Sequence, residues 1–348
     1  MTTFIEYHIL QSFPVCNLNR DELGSPKTCV IGGVTRARVS SQCWKRHVRC
    51  KLRDLGVTLG IRTRLVADRL ITLLTERNPT VAQEAIVESV QKIVEAGKFD
   101  AMTFLTDSEY VVLASMVEEA AFDPKLISPK TLEKMTKSLR KAGGGHCGLD
   151  VALFGRMIAS VPTMNVEGSA AFAHAYTTHG ISSGIDYFTA VDDDLGQAGY
   201  IDSTGFTAGV FYRYVSLNID RLVETLGLSK DELEQAVKTF TEALYLAVPG
   251  GKQNVMSAQN CWDYAHVQVR TGQPVQASFE EPVAAAAKGG LLKPSIKRLE
   301  ESIARNEQLA GQFYGKKEDF VFGLEDSPSI SDFARSIAQN VRDLGAEQ

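Results

Sequence analysis

A pair of glycines followed by a serine-capped, basic helical segment is the feature that most restricts how this chain folds. Gly32-Gly33 separates two short strand-like segments, and glycine accepts the positive φ of the tight turns that join hairpin strands. Ser40 and Ser41 then precede a stretch of helical periodicity, and either hydroxyl can accept a hydrogen bond from a free first-turn amide. Gly56 is suited to end the helix. The sequence therefore predicts a hairpin that leads directly into a helix.

The two faces of this helix differ in character. Its apolar residues recur at helical spacing and are expected to face the core: Trp44, Val48, Leu52 and Leu55. Its basic residues are Lys45, Arg46, Arg49 and Arg53. Amides at a helix N-terminus bind phosphate, and successive cations neutralise the phosphates of a single strand. Arg36 and Arg38, which share one face of the preceding strand, strengthen this interpretation. A solvated basic face of an amphipathic helix is the alternative.

The distribution of charge agrees with a local nucleic-acid surface. The formal net charge of the whole chain is −5, which argues against a protein that coats nucleic acid with its entire surface. Residues 1–60 nevertheless hold nine basic and four acidic residues, whereas residues 301–348 hold five basic and nine acidic ones. We expect a surface for a polyanion near the N-terminus and a complementary subunit contact near the C-terminus.

Several classes of protein are disfavoured by composition. The 348 residues contain no apolar run near the roughly 20 residues that span a bilayer, and the N-terminus lacks the pattern of a signal peptide. The six cysteines include no C-x-x-C pair, so free thiols in a reducing compartment are expected rather than disulfides or a zinc ribbon. These features predict a cytoplasmic protein without a membrane partner.

The order of elements predicts an α+β fold. Residues 4–10 alternate as a strand does, and 206–217 do so again, whereas 61–142 read as almost entirely helical. Residues 192–205 are rich in Gly and Asp, which favours an exposed hairpin whose tip projects. The predicted organisation is a mixed α/β body that carries a helical insertion and a protruding hairpin.

A second basic helix face is predicted after Ser128-Pro129, a typical helix start. Its lysines are Lys130, Lys134, Lys137 and Lys141, and its apolar residues are Leu132, Met135 and Leu139. The run Gly143-Gly144-Gly145 is expected to stop the helix, and residues 143–148 lack the ending of a Walker loop. The lysines are compatible with phosphate contacts, and a solvated outer face is the alternative.

An acidic cluster offers the best candidate for catalysis. Asp192-Asp193-Asp194 lies near Asp186, His174 and His179 in sequence, and clustered carboxylates could hold Mg²⁺ for phosphodiester hydrolysis. Consecutive aspartates in a turn are more often simply solvated, and His174 lies between small apolar residues, as a core histidine would. We therefore expect no metal site, no cofactor and no enzymatic activity.

Several motifs together point to a known family. In chain order they are Asn19-Arg20-Asp21, Gly32-Gly33, Arg36-Ala37-Arg38-Val39-Ser40-Ser41-Gln42 with Lys45-Arg46, Gly155-Arg156-Met157, Ala173-His174-Ala175 with Thr177-Thr178-His179, Ile185-Asp186-Tyr187-Phe188-Thr189-Ala190-Val191-Asp192-Asp193, and Gly209-Val210-Phe211-Tyr212-Arg213-Tyr214. From residue 4 to about 300 the chain closely resembles the CasC family, the backbone subunits of the type I-E Cascade CRISPR surveillance complex. Residues 61–142 and the tail match this family only loosely.

The resemblance implies a hand-like fold, with a palm built on a modified RRM-type, ferredoxin-like sheet, helical fingers and a β-hairpin thumb. The expected boundaries are 1–60 for the first part of the palm, 61–180 for the fingers, 181–190 for a palm or web segment, 191–210 for the thumb and 211–348 for the rest of the palm.

The resemblance also implies a function in antiviral defence. In that family several copies assemble head to tail into a helical ribonucleoprotein along the CRISPR RNA, together with other Cascade subunits. Each thumb crosses the RNA bound by its neighbour and displaces a base, and the bases in between pair with target DNA. This role is non-catalytic, and the expected partners are CRISPR RNA, target DNA, further copies of the chain and the other subunits.

Site residues follow from the matched positions. Those that the resemblance assigns to the RNA backbone are Arg20, Lys27, Ser40, Gln42, Lys45, Arg46 and Arg49. Met157 resembles the finger residue that wedges against the displaced base, and Ile201 at the thumb tip resembles its apolar counterpart. The lysine face of residues 130–141 resembles the finger surface that tracks DNA.

A metal-dependent ribonuclease of the same superfamily is the alternative function. Relatives in type III complexes cut RNA with an aspartate in a loop before the first helix. Here the stretch Cys29–Val34 contains no acid, and Asp21, further upstream, is interpreted as a partner of Arg20. Cleavage that disappears on replacement of Asp192 or Asp21 would favour this alternative.

Overall fold

The computed structural model describes residues 1–141, 147–196 and 198–344, without the side chains of 138–141 and 198. Over these residues the strands are β1 (Thr3–Cys16), β2 (Thr28–Ile31), β3 (Val34–Val39), β4 (Ile61–Thr63), β5 (Thr103–Leu105), β6 (Ala170–Phe172), β7 (Ala175–Thr177), β8 (Gly184–Val191), β9 (Ala198–Asn218), β10 (Tyr264–Thr271) and β11 (Lys316–Phe322). The helices are α1 (Ser41–Asp54), α2 (Val66–Arg77), α3 (Gln83–Gly97), α4 (Asp107–Glu119), α5 (Pro129–Lys141), α6 (Leu149–Phe154), α7 (Ile219–Leu226), α8 (Lys230–Leu246), α9 (Gln253–Met256), α10 (Leu292–Ala310) and α11 (Ile330–Leu344). The fold is therefore a mixture of α and β, as expected.

The chain divides into two compact units. The first comprises 1–51, 171–218 and 234–348, and the second comprises 52–170 and 219–233. The palm, finger and thumb boundaries expected from the resemblance stay predictions. No helix in the described ranges is both long and apolar enough to cross a bilayer.

An antiparallel sheet forms the body of the first unit. Its strand order is β11-β10-β1-β9-β7-β3-β2, and β1 pairs with both β10 and β9 along residues Phe4–Leu10. The alternating residues Ile5, Tyr7 and Ile9 are fully buried on one face of β1, where Tyr7 contacts Phe240 and Thr241 of α8. The strand predicted at residues 4–10 is confirmed, although it begins at Thr3 and runs on to Cys16.

The opposite face of β1 buries the polar side chains of Glu6 and His8. Glu6 forms an ion pair with Arg270 of β10 and accepts a hydrogen bond from the Tyr214 hydroxyl. His8 Nδ1 lies 2.9 Å from the Tyr212 hydroxyl oxygen. A buried charge such as Glu6 requires partners of this kind, and here they come from the two neighbouring strands, β9 and β10.

His266 of β10 lies between two carboxylates. Its Nδ1 is 2.8 Å from Glu300 Oε1, and its Nε2 is 3.0 Å from Asp319 Oδ1. Burial alone would lower the pKa of His266, but the hydrogen bonds and charges of Asp319 and Glu300 raise this pKa to about 9. Both ring nitrogens therefore donate, and the imidazolium joins α10 to β11 at neutral pH.

Replacing His266 with glutamine is expected to lower the free energy of unfolding by about 2 kcal/mol at pH 6. Since the folded pKa lies above the unfolded one, this contribution is complete below about pH 6.5 and is lost as the pH rises through about 9. Urea unfolding of both proteins at pH 6 and pH 9.5 measures the difference. A difference that is the same at both pH values would contradict the charged state assigned to His266.

The second unit is built mainly from helices. The apolar faces of α2, α3 and α4 share a core that includes Leu70, Val90 and Leu113, and the short β4–β5 pair lies in the same unit. The helical character predicted for 61–142 is confirmed for the described residues, apart from that strand pair.

The β8–β9 hairpin is paired from Gly184–Phe206 to Val191–Ala198, and it is exposed along most of its length. Its arms therefore extend further than the segment 192–205 that the composition suggested. The turn is closed by Asp192, whose Oδ1 accepts hydrogen bonds from the amides of Asp194 and Leu195 at 2.9 and 2.8 Å. This is the local pattern by which aspartate favours turns.

Candidate nucleic-acid interface

The hairpin and the capped helix form as predicted. Gly32 and Gly33 both have positive φ, 60° and 75°, in the turn between β2 and β3. Ser40 Oγ accepts a hydrogen bond from the Cys43 amide at 3.3 Å. The Ser40 amide in turn donates to Asn19 Oδ1 at 2.9 Å, so the loop before β2 holds the start of α1 in place.

The apolar face of α1 packs inward. Trp44, Val48 and Leu52 are at most 1% exposed, and the Arg213 guanidinium lies 3.7 Å from the centroid of the Trp44 ring. The expectation for Leu55 is wrong, since this residue is 37% exposed. The helix ends at Asp54 and Gly56 turns the chain with φ +87°, so the helical spacing no longer applies to Leu55.

The start of α1 gathers basic groups from three segments of the first unit. The Lys27 amide donates to the Asn19 carbonyl at 2.8 Å, and the Arg38 amide donates to the Lys27 carbonyl, also at 2.8 Å. Arg38 Nη1 lies 2.9 Å from His174 Nδ1. Burial, then the charges of Arg38 and Lys27, lower the pKa of His174, so this ring is held close to both cations.

Cys43 of α1 lies near both Lys27 and Arg46. Burial raises the pKa of the Cys43 thiol, while the nearby charges of Lys27 and Arg46 act in the opposite direction. Arg46 and Gln42 are exposed on the outer face of the helix, and Arg20 is exposed in the preceding loop. We call this cluster the basic surface; its described members are Arg20, Lys27, Arg38, Gln42, Lys45, Arg46, Arg49 and His174.

Lys45 is half-buried beside an aromatic ring. Its Nζ lies 5.8 Å from the centroid of the Phe172 ring, and partial burial lowers its pKa. Ser40 is 9% exposed and its hydroxyl is already engaged as the helix cap. The RNA contacts assigned to these residues stay predictions.

The expectation that Arg36 adds to the nucleic-acid surface is wrong. Arg36 is fully buried, and its guanidinium donates to the carbonyl oxygens of Thr177, Phe279 and Glu280 at 2.8, 3.2 and 3.3 Å. The segment that contains Glu280 passes so close to the hairpin that a Cβ on Gly32 would lie 1.9 Å from the Glu280 oxygen. Arg36 therefore stabilises the fold, and of the two strand arginines Arg38 alone is part of the basic surface.

In the second unit a buried ion pair presents Met157. Arg156 Nη1 and Nη2 donate to Glu109 Oε2 and Oε1 at 2.6 and 2.7 Å, and both side chains are at most 6% exposed. Glu109 Oε2 also accepts the Thr106 amide at 2.8 Å, so the capping box of α4 anchors the pair. Met157 follows directly and is 83% exposed.

The β8–β9 hairpin places Ile201 at an exposed position. Ile201 is 69% exposed and pairs with Thr189 across the hairpin. Residues 184–206 contain five aspartates and no lysine or arginine. This hairpin is therefore acidic, and its exposed side chains include apolar ones such as Ile201.

On α5 the described lysines face solvent. Lys130, Lys134 and Lys137 are exposed, and Lys137 Nζ forms an ion pair with Glu133 at 2.6 Å. Leu132 is 1% exposed, as its place on the apolar face predicts. The side chains of Lys141 and Leu139, and the glycine run from residue 143 to 145, lie outside the described residues.

The residues considered for a metal site are not brought together. Within the described ranges, no three His, Cys, Asp or Glu side chains are arranged to hold a metal ion. His174 is exposed rather than in the core, and the Val210 amide donates to Nε2 of the buried His179 at 3.2 Å. Asp21 Oδ1 accepts the amides of Leu23 and Ser25, both at 2.9 Å, instead of pairing with Arg20.

Two residues of the candidate site regions, Glu109 and His174, were missed by sequence reasoning. Glu109 was not singled out, and no local pattern indicates its ion pair with Arg156, 47 residues later. His174 was interpreted as a core residue because its neighbours are small and apolar.

Comparisons with known proteins cover almost the whole chain. A family model described as CT1975-like protein matches residues 5–344. No match is found among curated protein sequences. A solved chain from a "CRISPR RNA-guided surveillance complex, pre-nicking" is 28% identical, with a TM-score of 0.79 over 97% of this chain and 99% of that one. A second, from a "CRISPR RNA-guided surveillance complex", is 26% identical, with a TM-score of 0.62 and the same coverage.

Proposed function

The chain belongs to the CT1975-like protein family, and we propose that it is a backbone subunit that holds CRISPR RNA within a surveillance complex. The observation that carries this proposal is the basic surface around the start of α1, in a chain whose formal net charge is −5. Cations that track a single strand and leave its bases exposed are what a guide RNA requires.

The finer assignments are part of the same proposal. The complex would be of type I-E, with several copies arranged head to tail and with an RRM-like palm in each. The exposed Met157 and Ile201 would displace a base at regular intervals, and the remaining bases would pair with target DNA, along which Lys130 and Lys134 would lie. All six cysteines are free thiols, which supports a cytoplasmic location.

We propose that the subunit is not an enzyme. The Asp192 and Asp21 carboxylates accept backbone amides of their own turns, which supports a structural role for both. We expect a guide-length RNA to stay intact after incubation with the chain and Mg²⁺, and an Asp192→Ala/Asp21→Ala variant to leave that result unchanged. Denaturing gel electrophoresis gives the RNA length. Mg²⁺-dependent fragments that disappear in the variant would establish the ribonuclease instead.

A further inference from the structure

A loop that nothing above assigns lies beside the basic surface. It covers residues 249–257, between α8 and the segment before β10, includes the one-turn helix α9, and begins Pro-Gly-Gly-Lys. The Gly250 amide donates to His47 Nε2 at 2.8 Å. Gly251 packs so closely that a Cβ there would lie 2.4 Å from the Asn17 carbonyl oxygen. Only glycine permits this approach.

These two contacts place the loop next to residues of the basic surface. His47 directly follows Arg46 in α1, and Asn17 lies three residues before Arg20. The 249–257 loop is thus joined to both the helix and the segment that carry the proposed RNA contacts.

His47 joins α1 to the loop through hydrogen bonds that require one tautomer of its ring. Because Nε2 accepts the Gly250 amide, Nδ1 carries the ring proton, and it lies 2.8 Å from the Cys43 carbonyl oxygen. The imidazole therefore bridges α1 and the loop through two hydrogen bonds. We class His47 as a positioning residue, since it holds the loop rather than facing a ligand.

Two residues of the loop have a backbone conformation that residues other than glycine rarely adopt. Lys252 and Ser257 have positive φ, 52° and 49°, which is uncommon outside glycine. Gln253 holds them by donating its Nε2 to the carbonyls of Pro249 and Ala258 at 2.8 and 3.2 Å. Such conformations persist where the surroundings fix them, and they often occur at functional positions.

The side chains that this loop offers suit a nucleic-acid backbone. Lys252 is half-exposed and forms no ion pair in the described part of the chain, and Asn254 is exposed. An ammonium group binds phosphate as a point charge, and an amide can bond to a phosphate or to a ribose hydroxyl. No acidic residue occurs in 249–257.

We propose that the 249–257 loop is a second RNA-contacting element, in which Lys252 binds a phosphate and Asn254 a phosphate or 2′-hydroxyl of the strand held by α1. This inference rests on the proposed function. It adds a contact from a segment some 200 residues away in sequence, held in place by His47.

Lys252→Glu is expected to lower affinity for guide-length single-stranded RNA about tenfold at 150 mM salt, and Lys252→Ala to reduce the slope of log K against log salt by about 0.7. Fluorescence anisotropy across a salt titration measures both. The matched control is Lys317→Glu, the same charge change on β11, at the opposite edge of the sheet from β2. We expect the control to stay within about twofold of the unmodified chain.

His47 supplies an independent test. A glutamine carbonyl can accept the Gly250 amide, so His47→Gln is expected to retain most of the affinity that His47→Ala loses. Unchanged affinity and salt slope in the Lys252 variants would overturn the inference while the proposed function stands. If the unmodified chain, supplied with its partner subunits, bound no RNA, the proposed function and this inference would both be wrong.

Discussion

Replacing both Lys45 and Arg46 by glutamate is expected to lower affinity for guide-length RNA by about 100-fold at 150 mM salt. Each substitution removes a charge-assisted contact worth about 1.5 kcal/mol and places a carboxylate next to phosphate. The two residues lie on the basic surface beside Lys27 and Phe172, and within the described residues neither forms an ion pair with an acidic side chain. Filter binding across a salt series measures the change.

Alanine variants separate the loss of the two positive charges from the repulsion between the new glutamates and phosphate. Lys45→Ala/Arg46→Ala is expected to reduce the slope of log K against log salt by about 1.4, the value for two phosphate contacts on a single strand. The control pair is Lys297→Glu/Lys317→Glu, two exposed lysines on α10 and β11. If this control lowers affinity as much as the α1 pair does, the effect reflects overall charge and the basic surface is not the site.

Replacing Arg156 with methionine is expected to destabilise the second unit by about 3–5 kcal/mol, because it leaves the Glu109 carboxylate buried and unpaired. Arg156 also donates to the carbonyls of Met164 and Phe104 at 2.7 and 3.1 Å, and these oxygens would lose their donors. Met157 would lose its fixed position at the same time. Urea unfolding, with amide exchange in α4 to report on this unit alone, measures the loss.

A double variant tests whether the unpaired Glu109 charge causes the loss of stability in Arg156→Met. Arg156→Met/Glu109→Gln removes both charges, and a glutamine oxygen can still accept the Thr106 amide, so we expect a smaller loss than for Arg156→Met alone. Lys92→Ala, which removes an exposed ion pair with Glu95, should change stability by less than about 0.5 kcal/mol. A double variant as unstable as the single one would show that the lost packing, not the unpaired charge, dominates.

Local sequence patterns predicted the parts of the fold that depend on neighbours in sequence. The cap at Ser40, the buried positions of Trp44 and Val48, and the turn at Gly32-Gly33 all follow from spacing within a few residues. The same logic failed at Leu55 because it assumed that the helix continues one residue beyond Asp54, where it ends.

Contacts between residues far apart in sequence could not be predicted from local patterns. Arg36 and Arg38 share a strand face, yet Arg36 is buried because residues 279 and 280 cover it. The ion pair of Arg156 with Glu109 and the hydrogen bond from the Gly250 amide to His47 likewise join distant segments. At the candidate site the basic pattern of α1 was visible in the sequence, whereas the loop beside it was not.

The number of chains bound to one RNA, measured by light scattering on single-stranded RNAs of increasing length, tests the central claim most directly. We expect several copies on a guide-length RNA, a copy number that rises in steps with RNA length, and RNA that stays intact. Partner subunits are supplied in a parallel series, so that a need for nucleation is met. One copy per RNA at every length, or no binding in either series, would contradict a backbone subunit.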